Sequence, residues 1–90
     1  MVDGITFDSK REAEYYVGLK LRKAAGSILY FLRQVAFDLP GGTKYRCDFL
    51  EFWADGTVHI VDVKGYETKD FIRSKKQVEA LYPVKIEVMK

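Results

Sequence analysis

The chain has 90 residues, 48% of them hydrophobic and 31% charged, with a net charge of +2. That balance describes one globular domain, here taken as residues 1–90, and excludes a disordered or fibrous chain. No apolar run approaches the ~20 residues of a membrane helix, no basic-then-apolar leader opens the chain, and the single cysteine, Cys47, excludes an internal disulfide or a cysteine-rich zinc site, so a cytoplasmic protein is expected.

In chain order, residues 9–25 read as an amphipathic helix. Tyr15, Leu19 and Ala24 recur near a spacing of four, with Tyr16 and Val17 widening the stripe. Ser9 and Glu12 form the pattern of a capping box, and Gly26 is a helix stop. Residues 29–38, rich in strand formers, change the period to that of a strand, and Pro40-Gly41-Gly42 is a turn. Residues 44–53 and 57–64 are two further strands joined through Ala54-Asp55-Gly56, a hairpin signal. Residues 68–81 form a second helix capped by Thr68, with Phe71, Ile72, Val78 and Leu81 expected to face inward, and Tyr82-Pro83 ends it. From residue 84 to 89, Val84, Ile86 and Val88 alternate with Lys85, Glu87 and Met89 as a last strand. The order αβββαβ, with strands apolar on both faces, predicts an α/β fold: a mixed four-stranded sheet with a helix on each side.

The chemistry concentrates in Tyr45-Arg46-Cys47-Asp48-Phe49 and Val58-His59-Ile60-Val61-Asp62-Val63-Lys64-Gly65. Acids are expensive inside apolar strands unless they have partners. Asp62 and Lys64, two apart, point to one face of their strand. A two-residue turn at Asp55-Gly56 would pair Phe49 with Asp62. A three-residue turn, with Gly56 supplying the positive φ that such a loop needs, pairs Trp53 with Thr57 and sets Asp48 opposite Asp62. The turn chemistry favours the second register, with both acids on one face. Two facing carboxylates repel unless something positive lies between them. A hard divalent cation, Mg²⁺ or Mn²⁺, is the natural occupant, able to polarise a phosphoryl oxygen and activate water. Lys64 is then placed to orient that water or to offset charge in the transition state. The competing reading is a plain cross-strand ion pair of Asp48 with Lys64. By strand parity Cys47 and His59 lie on the face away from the acids, Cys47 as core and His59 as a packing or surface residue.

Helix, strand, Asp-bearing strand, Asp-x-Lys strand, helix and strand together resemble the core of the PD-(D/E)XK nuclease superfamily, the restriction-endonuclease-like fold. Within it the chain looks like the small phage-type endonucleases related to Holliday junction resolvases. Phe7-Asp8-Ser9-Lys10-Arg11-Glu12-Ala13-Glu14-Tyr15-Tyr16 also looks like the opening of a phage family known chiefly as a domain of unknown function. The resemblance implies that Asp48 and Asp62 are metal ligands, that Lys64 is the motif lysine, and that Glu12 completes the metal site, with Glu14 as the other candidate. The chain departs from the superfamily pattern in having Cys47 where proline is usual and Asp62 where glutamate is commoner. Gln77 and Tyr82, five apart, do not match the exonuclease-like branch, whose Gln and Tyr stand four apart.

The expected activity is therefore a metal-dependent, structure-specific DNA endonuclease acting at branched DNA such as Holliday junctions. A homodimer is expected, since two strands need two sites. In a phage setting the compartment is the host cytoplasm. Arg46, Lys10, Arg11, Lys69, Arg73, Lys75 and Lys76 are the candidate DNA contacts, binding phosphate without reading bases. Lys20, Arg22 and Lys23 form another basic group, and solvated helix faces are the bland reading of both. The alternatives are a non-catalytic nucleic-acid-binding or interaction module on the same fold, and a general or restriction-type nuclease.

Overall fold

The computed structural model describes residues 2–89. The elements are α1 (Lys10–Ala24), β1 (Ile28–Asp38), a 3₁₀ turn (Pro40–Gly42), β2 (Lys44–Trp53), β3 (Val58–Val63), α2 (Lys69–Leu81) and β4 (Ile86–Met89). The sheet has four strands in the order β1-β2-β3-β4. The first three pair antiparallel, and β4 returns through α2 to lie parallel to β3. This is the mixed sheet predicted from the αβββαβ order. Among the described residues no helix is long and apolar enough to cross a membrane.

Local chemistry fixes the element ends. The Ser9 hydroxyl accepts the Glu12 N–H at 3.1 Å, and the Thr68 hydroxyl accepts the Phe71 N–H at 3.1 Å, so each helix has one otherwise orphaned donor capped. After α1, Gly26 at φ 87° lets its own N–H reach the Lys23 carbonyl and that of Ser27 reach the Arg22 carbonyl. This is the paired closure that a left-handed residue after a helix permits. At the hairpin, Gly56 has φ 89°, and the Trp53 N–H donates to the Thr57 carbonyl at 2.9 Å. The three-residue turn is thus the one used, and the register Phe49↔Val61, Leu50↔Ile60 follows from it.

Two apolar cores lie on opposite faces of the sheet. Tyr16 and Leu19 of α1 pack with Ile28, Phe49 and Val61. Val78 of α2 packs with Leu39, Tyr45, Cys47, Ile60 and Ile86. Ile60 and Val61 are chain neighbours in different cores, at 2% and 1% exposure, so β3 is buried on both faces. Burying each such large side chain contributes roughly 1.5–3 kcal/mol. Some predicted inward positions are corrected. Val17 is 41% exposed and Ala24 is exposed, so the buried stripe of α1 is narrower than its apolar sequence. Ile72 and Leu81 are 39% and 54% exposed, because α2 meets the sheet through Phe71 and Val78 instead. β4 begins at Ile86 rather than at residue 84, since the Val84 N–H is already spent on the Tyr82 carbonyl, in the turn around Pro83.

One irregularity shapes everything near the acids. In β1, Phe31 packs in the α1-side core, but Val35 and Phe37 pack in the α2-side core. In β2, Tyr45 and Cys47 face α2, but Phe49 faces α1. Strict alternation would keep all these odd-numbered residues on one side. The break falls between Arg33↔Phe49 and Val35↔Cys47, where the pair Gln34 with Asp48 is missing from the ladder. Gln34 there has φ 53°. A left-handed residue within a strand twists it locally, and the paired strand follows.

Candidate active site

The N-terminal turn of α1 overhangs the end of the sheet where β2 and β3 carry the acids. A cleft of about 320 Å³ opens there, lined by Asp8, Arg11, Glu12, Asp48, Lys64 and Gly65 among others. α1 supplies Glu12, which is 4% exposed, while Glu14 is exposed and lines a different groove. Ser9 caps the Glu12 amide, and the Glu12 carboxylate turns to the Gln34 side-chain N–H at 3.3 Å. The capping-box serine and an acid directed at the sheet therefore coexist in one residue pair.

Asp48 and Asp62 hold the seam between β2 and β3. Asp62 Oδ1 accepts the Asp48 backbone N–H at 2.9 Å, and Asp48 Oδ2 accepts the Val63 backbone N–H at 2.8 Å. The register expected for them is present. The expectation of a single shared face is corrected by the break at Gln34 and Asp48. Alternation sends Val61 and Val63 toward α1 and Ile60 toward α2, so Asp62 leaves its strand on the α2 side, while Asp48 looks toward Glu12. The two acids meet across the seam, each capping the other's strand.

Burial and crowding disfavour the charged forms of two of these acids. Asp62 is 0% exposed, and burial pushes its carboxyl above the usual range, against the pull of the Asp48 N–H and of Lys64. Its Oδ2 is buried with no hydrogen-bond partner. Burial also raises the Glu12 carboxyl, and the Asp48 and Asp8 charges raise it further, with Arg33 and Lys64 opposing. Glu12 and Asp48 at an open cleft, with an orphaned carboxylate oxygen on Asp62 across the seam, are oxygen ligands of the kind a hard divalent ion takes. Among the described residues no three His, Cys, Asp or Glu side chains converge on one point.

A family match covers this whole arrangement. The chain belongs to the family described as protein of unknown function (DUF1064), whose model matches residues 1–89. No curated protein matches it. Since the family description carries no activity, the function of this DUF1064 chain rests on the chemistry of the cleft.

Lys64 extends from the end of β3, its Nζ 5.4 Å from the Phe71 ring centroid, and it lines the cleft. Gly65 lies beside Arg11: a Cβ added there would stand 3.7 Å from an Arg11 guanidinium nitrogen. Of the candidate DNA contacts, Arg11 borders the cleft, and Lys10, Arg46, Lys69, Arg73 and Lys76 are exposed. Arg73 has only a loose contact with Asp70, at 3.9 Å. Lys75 is committed elsewhere: its Nζ pairs with Glu79 at 3.2 Å, and Glu79 also accepts the Ile86 N–H. It holds α2 to β4 and is a poor phosphate contact. In the other basic group, Lys20 pairs with Asp3 and Arg22 lies over the Tyr15 ring. Cys47 is core at 0% exposure. His59 bonds Glu87 and Thr57 at the far end of β3 from the cleft, which leaves it outside the site.

The sequence reading passed over three polar residues of consequence. Gln34 joins Glu12 to Asp48, with its Nε2 3.5 Å from Asp48 Oδ1. Arg33 lies over the Phe7 ring at 4.7 Å and offsets the charge of Glu12. The signal for both was an Arg-Gln pair interrupting an apolar strand, Leu29 to Phe37. Glu51 is 1% exposed in the α1-side core, held by the Tyr15 hydroxyl and by Trp53 Nε1 at 3.0 Å. Its partners satisfy it, and it has no part in the cleft.

Proposed function

We propose that the protein is a metal-dependent endodeoxyribonuclease of the PD-(D/E)XK type that hydrolyses phosphodiester bonds in branched DNA. The observation that carries this reading is the cleft that gathers Glu12, Asp48 and Lys64, with the fully buried, unpartnered Oδ2 of Asp62 across the β2–β3 seam from it. Such a group is costly in a structural role and useful in holding Mg²⁺ or Mn²⁺. Bound there, the cation supplies Lewis acidity toward a phosphoryl oxygen and a lowered pKa for water. Asp48, Asp62 and Glu12 hold it. Lys64 offsets the charge that grows on the phosphate and orients the attacking water. Arg11 at the cleft and the exposed Arg46, Lys10, Lys69, Arg73 and Lys76 bind the DNA backbone.

A second copy of the chain supplies the second site that a two-strand cut requires. β1 is an edge strand, and on the sheet face beside it Tyr30, Leu32 and Val58 are 47%, 45% and 54% exposed, which suits an interface between two copies. The protein works in the cytoplasm, that of the host if phage-encoded. The test is competition: a labelled four-way junction challenged with excess linear duplex of the same sequence, at several salt concentrations. Junction binding should survive the duplex and weaken steeply with salt. Equal competition would replace the junction reading with a general or restriction-type nuclease. Binding without any cutting in Mg²⁺ or Mn²⁺ would leave a non-catalytic module.

A further inference from the structure

Gln34 occupies a position that its residue type does not favour. Asp3 and Gln34 are the only non-glycine residues with positive φ among those described, and Gln34, at 53°, lies in mid-strand. Long side chains rarely adopt that conformation, and where they do the cost is commonly tied to a site. The twist it produces removes the Gln34–Asp48 pair from the ladder and turns both side chains toward the foot of α1. There the Gln34 amide nitrogen lies 3.3 Å from Glu12 Oε1 and 3.5 Å from Asp48 Oδ1. One neutral NH₂ group has two hydrogens, enough to serve both carboxylates without adding a charge that an arriving cation would have to displace.

We propose that Gln34 is a positioning residue that holds the Glu12 and Asp48 carboxylates together, ready for a divalent cation. This rests on the metal-site reading above. Without the amide, Asp48 keeps its bond to the Val63 N–H but loses its link to Glu12, and the ion must bring the two carboxylates together itself. An arginine or lysine in the same place would quiet the repulsion by neutralising it, and would then compete with the ion. The left-handed backbone is what brings a strand residue's amide into the gap between a helix acid and a strand acid.

The test uses Mn²⁺ alone, titrated into the full chain and followed by its electron paramagnetic resonance signal, with thermal unfolding in EDTA as the control. Gln34→Gly removes the amide but accepts the left-handed backbone without strain, so the ion-free variant should unfold no earlier than wild type. Its Mn²⁺ affinity should fall about tenfold, the scale seen when a group supporting metal ligands is lost. Gln34→Asn, which keeps an amide and tolerates positive φ, should lose less. A Gln34→Gly protein that is folded and binds Mn²⁺ as well as or better than wild type would overturn the proposal, because the amide would then be a bystander or a competitor. If wild type itself does not bind Mn²⁺, the metal reading fails, and this one with it. A role confined to bending β1 would show as a shift in unfolding temperature with no selective change in ion affinity.

Discussion

Replacing Asp62 by Asn should stabilise the ion-free protein while abolishing its activity. In the wild type the carboxylate is fully buried, with one oxygen bonded to the Asp48 N–H at 2.9 Å and the other without a partner. Asparagine is nearly isosteric and keeps the acceptor for that N–H, so the β2–β3 seam survives. A buried polar group left unsatisfied costs about 1–3 kcal/mol, and more if charged. The asparagine NH₂ inherits part of that cost but none of the charge, which leaves a net gain of about 1–2 kcal/mol. For a domain of this size that is roughly 4–16 °C in unfolding temperature. The pH dependence has a definite sign. Because the folded-state carboxyl is raised above its unfolded value, the destabilisation is absent below the unfolded pKa and grows as pH rises through the folded one. The advantage of the variant should therefore be largest near neutral pH and shrink in acid. Circular dichroism melts of both proteins in EDTA from pH 4 to 8 measure it, and added Mn²⁺ should raise the wild-type midpoint and not that of the variant. A variant that melts well below wild type in EDTA at pH 7 would refute the reasoning, since Asp62 would then be a satisfied structural group.

Two other substitutions probe neighbouring parts of the account. Glu12→Gln should leave the stability within about 1 kcal/mol of wild type, because Ser9 caps the backbone N–H of residue 12 and not its side chain; cleavage per folded molecule should fall about a hundredfold or more, and retained activity would reduce Glu12 to a helix-start residue. Gly56→Ala forces a side chain into φ 89° and should cost about 1 kcal/mol or more, read as a drop in melting temperature, and an unchanged melt would mean that the hairpin turn does not set the register.

Much of this fold was legible because local signals agreed with the tertiary outcome. Ser9, Thr68, Gly26 and Gly56 each mark an element end, and the last of these decided between two registers that differ in which residue faces Asp62. The faces of the acids were not legible. Period-two reasoning assumes an unbroken strand, and nothing in a lone sequence says that a glutamine will adopt a left-handed backbone. The break at Gln34 and Asp48 carries Asp48 toward α1 while Asp62 stays on the other side of β3, so their contact comes through the seam. The buried helix faces are narrower than the apolar pattern implies for a related reason. Ile72, Leu81 and Val17 are apolar, but a helix resting on a short, twisted sheet buries a narrow stripe and leaves the flanks exposed. Glu51 was invisible because its partners, Tyr15 and Trp53, come together only after α1 docks.

The most direct test of the central claim is cleavage of a four-way junction by the purified protein in Mg²⁺, run beside the same reaction in EDTA and beside Asp62→Asn. The account predicts nicked products with wild type in Mg²⁺, none in EDTA, and none with the variant, which should still bind the junction. Cutting that persists in EDTA, or an Asp62→Asn protein that cuts as fast as wild type, would contradict it.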